Sequence, residues 1–446
     1  MAYNGKSSSL AGSGFKVEDY LTTFLTAITS NNAQLLIDCV SIYPNNPPGD
    51  IRANLVVNEF DFGYLPEKYR PVALAHFEVM RAIHKKKNLQ DVFVQLIKLT
   101  DCTIKAAETE DSWINPVVIH LCETLVTTLG VRNRMAQRDN NKKSVKGSSI
   151  TANCELVVTT INKALKQALS DKNSDLKTSK RNDIYFFAGC LIKLYFKLGK
   201  YELAQSIERA IHGTRFPIPN IRDYQFKKYS VIYLYYTALL ALDANELNKA
   251  QDNLSLAFHL ITFYKSKPKP SNKQTMRILL LLIPLSLLNN RLLPAERVYQ
   301  DYPVIKYIFQ DRLLKAICTG DIQLFDKSIN EFQLLFLRNH IYILVPGLRS
   351  LCYYKLIKKT AMLVKELNLD SASSHIVPLN AFQKSISFAS SSSKTSNVVG
   401  VEVPLAEIEC ILANLIFDGK VKGYLSHTNK CIVLSKVDGF PKTLIK

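Results

Sequence analysis

Eight histidines, His76, His84, His120, His212, His259, His340, His375 and His427, are scattered along the chain without the HxxxH or HExxH spacing that places two imidazoles on one helix face for a metal. Nine cysteines, Cys39, Cys102, Cys122, Cys154, Cys190, Cys318, Cys352, Cys410 and Cys431, include no CxxC pair and lie mostly within apolar runs. They are expected to be buried, reduced thiols, and no metal site is indicated. His120 and Cys122 suggest a thiol nucleophile and its base, but residues two apart on a helix point to different faces and cannot pair. There is no GxSxG elbow, no GxGxxG turn and no glycine-rich phosphate cradle. Gly5, Lys6 and Ser7 resemble the end of such a cradle, without its upstream glycine or preceding strand. The reading is a chain with no catalytic residues and no cofactor.

Charge offers another chemistry. Against 38 Asp and Glu stand 57 Lys and Arg, a formal net charge of +19. Such a surface attracts polyanions; nucleic acid, an acidic protein or an anionic membrane would each satisfy it, and charge alone does not choose. The densest candidates are Lys420, Lys422, Lys430, Lys436 and Lys442 near the C-terminus. Alternation along a strand puts Lys420 and Lys422 on one face, opposite Val421, so a projecting hairpin could neutralise several phosphates. Subunit docking or plain solvation accounts for the same pattern. Two further rows, Lys193, Lys197 and Lys200, and Lys355, Lys358 and Lys359, recur at helical spacing and extend a basic stripe or line solvated helix faces.

The elements that carry these residues are helical. At 446 residues with 47% hydrophobic composition, the chain forms two domains or one repeat array. Apolar stripes of three-to-four-residue recurrence run over Val17–Ser41, 71–84, 88–108 and 113–130. Ser112 or Asp111 is placed to cap the helix that Pro116 helps to start, with Trp113 as a packing anchor. Ile278–Leu288 is apolar but too short for a bilayer, which needs about 20 residues, and reads as a buried core helix. With no hydrophobic signal segment at the start, an intracellular protein without membrane insertion is expected.

A weak repeat centres on Ala204, Ala250 and Ala295, spaced 46 and 45 apart. That period suits stacked helix pairs in which a small residue permits close approach. Segments 1–14, Arg138–Ser149, Ser170–Asn182, Lys265–Lys273 and the Ser-rich 385–396 read as disordered terminus or exposed insertions. In the C-terminal part, helices over Leu351–Leu367 and from Val377 to about Phe388 precede a third. That third helix opens at Pro404, carries Leu405, Ile408, Ile411, Leu412, Leu415 and Ile416, and is closed by Gly419. Two strands, Val421–Ser426 and Cys431–Ser435, follow around the turn His427–Lys430, which is the order of a winged helix. The expected architecture is therefore all-α. Residues 15–200 are N-terminal helical repeats of the TPR/HEAT type, 201–348 continue the helical-repeat solenoid, and 349–441 form the winged helix with its small β-hairpin.

Cys410–Ile416, Gly419–His427, Leu434–Lys436 and the pair Phe440 and Pro441 together resemble the winged-helix end of the PCI-domain family. The resemblance is narrower still to the branch that unites the PCI subunit of the second transcription-export (TREX-two) complex with the twelfth signalosome subunit of fungi. It extends over roughly 70–441 through Trp113 with Pro116, Ile192–Lys197, Leu254–Phe258 and Ile283–Leu285, departing mainly at the insertions. It implies a non-catalytic subunit whose helical repeats are joined to the winged helix. Implied partners are a long helical scaffold subunit and a small acidic protein shared with the proteasome lid. It further implies an RNA- or single-stranded-DNA-binding surface and a nuclear location at the pore periphery, indirect at the pore and extending to the cytoplasm. A structural subunit of a signalosome-like or lid-like assembly, without nucleic-acid binding, is the alternative.

Overall fold

The computed structural model describes residues 16–44, 48–55, 57, 59–140, 148–264, 273–367, 375–390 and 403–441. The Ser/Gly-rich stretch 1–14, residues 141–147, 265–272 and 391–396 of three insertions, and Lys442 lie outside the described residues. The chain divides into two compact units, Met1–Tyr236 and Thr237–Lys446.

In the first unit α1 (Val17–Thr29) and α2 (Ala33–Val40) form a hairpin, and α2 starts where Asn32 Oδ1 accepts from the Leu35 N–H at 3.1 Å. After α3 (Gly49–Asn54) and α4 (Arg70–Arg81), a π-helical turn over Ala82–Lys86 leads to α5 (Leu89–Ala106), capped by Asn88. Then come α6 (Asn115–Asn140), α7 (Ser148–Ser170), α8 (Ile184–Leu198) and α9 (Tyr201–His212). Neighbours pack in sequence, α4 on α5, α5 on α6, α6 on α7, α7 on α8 and α8 on α9, as stacked helical pairs require. On α5 the buried residues Phe93, Leu96, Leu99, Thr103 and Ile104 make one stripe. The buried hydroxyls of Thr100 and Thr103 donate to the Leu96 and Leu99 carbonyls at 2.8 and 2.9 Å, so the stripe hides no unpaired donor. Among the described residues one helical stretch, Ser112–Ala136, is long and apolar enough to cross a membrane. Its buried face, Val117, Leu121, Cys122 and Leu125, packs on α2, α5 and α7, the arrangement of a core helix.

Helix α10 (Lys227–Asp243) contains the division between the units. In the second unit α11 (Leu247–Tyr264) pairs with α12 (Lys273–Asn289), which runs through Pro284 and buries Ile278, Leu279, Leu281, Ile283 and Leu285 as the expected core helix. Next come α13 (Glu296–Asp301), α14 (Pro303–Ile305), a π-helical stretch Lys306–Leu314 and α15 (Lys315–Thr319), followed by α16 (Ile322–Glu331) and α17 (Gln333–Arg338).

The winged helix consists of α18 (Val345–Leu367), β1 (Ile376–Pro378), α19 (Leu379–Ser390), α20 (Leu405–Phe417), β2 (Gly423–Ser426) and β3 (Cys431–Leu434). Buried Ile357 and Ala361 of α18, Phe382 and Ile386 of α19, Ile408, Leu412 and Leu415 of α20, and Ile432 of β3 form its core. Each of these isoleucine, leucine and phenylalanine side chains contributes about 1.5–3 kcal/mol by leaving water. The antiparallel sheet has the order β1-β3-β2, with Val377 opposite Ile432 and Tyr424 opposite Val433. Gly419 ends α20 at φ +67, where the Lys420 N–H bonds the Leu415 carbonyl at 2.9 Å. At Gly423 a Cβ would overlap the Val433 carbonyl oxygen and stand 3.1 Å from Leu434 Cα, so only glycine lets β2 approach β3 there.

Several expectations are corrected. Strand β1 lies where a helix start was expected, because three residues ending in proline carry no alternation and are specified only by pairing with β3. The Ser-rich stretch does not begin at 385: Ser385, Ser387 and Ser390 belong to α19, where Ser385 Oγ donates to the Phe382 carbonyl. Ala204 and Ala250 are fully buried, but Ala295 is exposed at the N-cap of α13, so the third echo of the repeat is not a packing helix. Neither Asp111 nor Ser112 caps α6 through its side chain; Ser112 Oγ donates to the Lys177 carbonyl at 2.9 Å, and the Trp113 Nε1–H donates to Glu110 at 3.1 Å.

The segment Ser170–Asn182 is exposed along much of its length, as expected, but it is anchored by a buried network at its end. Its Arg181 is 0% exposed, with Nε donating to Ser179 Oγ at 3.0 Å, one terminal nitrogen to the Pro217 carbonyl at 2.8 Å and the other to the Asn173 carbonyl. Asp171 accepts from Ser179 Oγ and the Lys180 N–H, both at 2.8 Å. Burial raises the Asp171 carboxyl, but these bonds outweigh it and hold the group below its usual range.

Candidate nucleic-acid interface

The wing is made by β2, the turn His427–Lys430 and β3. Lys430 takes φ +48 to close the turn, its carbonyl accepts from the Leu379 N–H at 2.9 Å, and its side chain is exposed. Lys422 and Lys436 flank the two strands at adjacent backbone positions: the Ser435 N–H bonds the Lys422 carbonyl at 2.9 Å, and the Lys422 N–H bonds that of Gly439 at 2.9 Å. Both side chains are exposed. Three exposed lysines thus lie along one hairpin, Lys430 at its turn and Lys422 and Lys436 at its open end, on a backbone fixed by the sheet, an arrangement suited to phosphates without reading bases.

Lys420 does not join them. Only 14% of its side chain is exposed, and Nζ donates to Ser350 Oγ of α18 at 3.0 Å and to Asp418 at 2.9 Å. It fastens the end of α20 to α18. The turn is tied back to α20 by His427, whose Nδ1 lies 2.9 and 3.0 Å from the two Glu409 oxygens.

Of the two other rows, Lys355, Lys358 and Lys359 share one helix, α18, whereas the first loses Lys200 to the turn after α8. Lys193 is half-buried on α8 and Lys197 is exposed. Lys200 lies beyond Gly199, which leaves the helix at φ +69, and its Nζ pairs with Glu155 at 2.7 Å. On α18, Lys355 and Lys358 are half-buried, and Lys359 donates from Nζ to the Thr319 carbonyl at 2.6 Å, closing the C-terminal end of α15. These rows belong to different units, and in each one lysine, Lys200 or Lys359, is bonded to the fold.

Sequence reasoning passed over Lys365 and His375. They line a cavity of about 480 Å³ in the second unit with Met362, Leu434, Lys436 and Phe440. Lys365 sits six residues past Lys359, nearly two turns further along α18, and His375 arrives just before β1, whose strand character no period in the sequence announces.

The thiols are mostly inert: Cys39, Cys122, Cys154, Cys352 and Cys431 are buried, whereas Cys318 and Cys410 are exposed, a partial correction to the expectation. Burial pushes Cys39 up to about 11 and Cys190 and Cys352 to about 12. Among the described residues no group of three or more His, Cys, Asp or Glu side chains is placed to hold a metal ion.

Comparison with known proteins now bears on this geometry. The PCI domain matches residues 329–436, which span the winged helix and the helix before it. A protein named "Protein CSN12 homolog" from Debaryomyces hansenii is 39% identical over 437 residues, 95% of this chain and 98% of that protein. Another of the same name from Yarrowia lipolytica is 26% identical over 95% of this chain and 98% of its own length. "PCI domain-containing protein 2" of Xenopus laevis is 26% identical over 75% of this chain and 74% of its own.

Proposed function

Since this chain belongs to the PCI-domain family, in the branch of proteins named CSN12 homolog and PCI domain-containing protein 2, we propose that it is a non-catalytic adaptor subunit of a nuclear messenger-RNA export complex of the TREX-two type. In this reading it binds a long helical scaffold subunit and a small acidic protein. Its wing contributes a basic surface to RNA or single-stranded DNA, and it works in the nucleus at the pore periphery. The observation that carries the reading is the exposure of Lys422, Lys430 and Lys436 on a wing held rigid by its own sheet. Lys420, by contrast, is drawn inward to Ser350 and Asp418. Purification of the tagged full chain from nuclei tests it: a stable helical scaffold protein, a small acidic protein and transcripts should come through together.

One observation favours a structural subunit instead. Among the described residues strands β1 and β2 each keep one edge unpaired in the sheet, and an open edge can be extended by a neighbouring subunit. Recovery of several PCI subunits, with neither scaffold nor transcripts, supports that alternative.

A further inference from the structure

The wing's cations continue into the cavity between α18 and the chain after β3. Lys422 bonds through its backbone to Ser435 and Gly439, and both of those residues line the cavity. Lys436 belongs to the wing and to the cavity wall at once. Across from it, Lys365 enters from α18 and His375 from the strand side, where the His375 carbonyl accepts from the Leu434 N–H at 2.8 Å. Asp438 is the one acid of the lining. Apolar surface comes from Ala361, Met362, Val437 and Phe440, with Met362 51% and Val437 97% exposed. Phe440 is held by Tyr354, ring centres 6.1 Å apart, which fixes its ring against the cavity.

We propose that this cavity receives one nucleotide of a single strand that runs along the wing: Lys365 and Lys436 take its phosphates, and the base lies on Met362 and Phe440. A purely ionic surface would need no cavity and no exposed methionine. A volume of about 480 Å³ falls in the range of ligand clefts, ~300–1,000 Å³, and suits a base with its sugar. A duplex keeps its bases stacked inside and cannot enter, so the site discriminates single from double strands without reading sequence. Asp438 provides an acceptor for an exocyclic amine. This inference rests on the nucleic-acid reading of the wing and assigns it a second, shape-selective part.

The test uses the full chain, fluorescein-labelled oligouridine and an RNA duplex of equal length, read by anisotropy. Met362→Trp fills the cavity and changes no charge. It should weaken oligouridine binding by about tenfold, the scale of one lost base-stacking contact, and leave duplex binding unchanged. Lys365→Gln should weaken oligouridine binding and flatten its salt dependence by about one phosphate, and leave duplex binding unchanged. Ultraviolet crosslinking of 4-thiouridine oligonucleotide to the wild type should modify peptides that contain Met362 or Phe440. Wild-type-like oligouridine affinity in Met362→Trp, or crosslinks confined to the turn His427–Lys430, would overturn the cavity while leaving the wing reading intact. Failure of the wild type to bind either RNA would overturn both.

Discussion

His76 is fully buried in the first unit, stacked on Tyr20 with ring centres 5.9 Å apart, and its Nε2 lies 3.2 Å from the Arg52 guanidinium. Burial first, then the positive charge of Arg52, lowers its pKa to about 3, against the smaller opposing effect of a backbone hydrogen bond with Val40. The folded imidazole is therefore neutral at pH 5, while the unfolded one, at about 6.5, is mostly protonated. The unfolded state binds the extra proton, so stability rises with pH; the contribution is complete above about 6.5 and is lost as pH falls toward 3. Integrating one proton from pH 7 to 5 gives a loss of about 2 kcal/mol. His76→Gln keeps an acceptor for Arg52 and removes the titration. The chain's one tryptophan, Trp113, lies in the same unit and reports its unfolding in urea. Wild type should lose about 2 kcal/mol more than His76→Gln between pH 7 and 5. Equal losses would refute the claim that His76 is held neutral beside Arg52.

Arg181→Met should destabilise the first unit by about 3 kcal/mol, because the Pro217 and Asn173 carbonyls lose their donors, and trypsin should then cut at Lys172 and Lys177; an unchanged Trp113 unfolding curve and digest would contradict the network. Brief iodoacetamide treatment of the native chain should label Cys318 and Cys410 and spare Cys39, Cys122 and Cys352, as peptide mass spectrometry would show; rapid labelling of the buried three contradicts their burial. Lys420→Met should lower the stability of the winged helix by about 1 kcal/mol in a thermal melt and leave RNA affinity nearly unchanged, whereas a large loss of affinity would place Lys420 at the nucleic acid.

Long amphipathic helices were legible because their stripes are set by local periodicity: α4, α5 and α20 lie where the apolar spacing places them, while α6 runs on to Asn140, past the expected 130 and into the expected insertion, and α18 begins at Val345, before the expected Leu351. The wing was legible for a related reason, since Gly419 and the turn His427–Lys430 use local backbone chemistry. What escaped was decided by partners distant in sequence. Strand β1 exists through β3, and Arg181 is buried because Pro217 and Asn173 offer carbonyls to it. Lys420 resembles Lys422 in sequence, yet it is drawn to Ser350, a residue 70 positions away. Charge patterning gives the candidates for a basic surface, and only the packing separates free ammonium groups from those spent on the fold. The cavity of Lys365 and His375 lies further from sequence still, because its walls come from α18, the segment before β1 and the chain after β3.

The salt dependence of oligouridine binding tests the function of the wing most directly, with wild type set beside the triple variant Lys422→Glu, Lys430→Glu, Lys436→Glu. Three phosphate contacts to a single strand contribute a slope of about −2 in log affinity against log salt between about 50 and 200 mM. The wild type should show at least that slope, and the variant should lose it together with most of its affinity while melting like the wild type. Equal slopes in the two proteins would contradict a nucleic-acid role for the wing and leave it as a subunit contact.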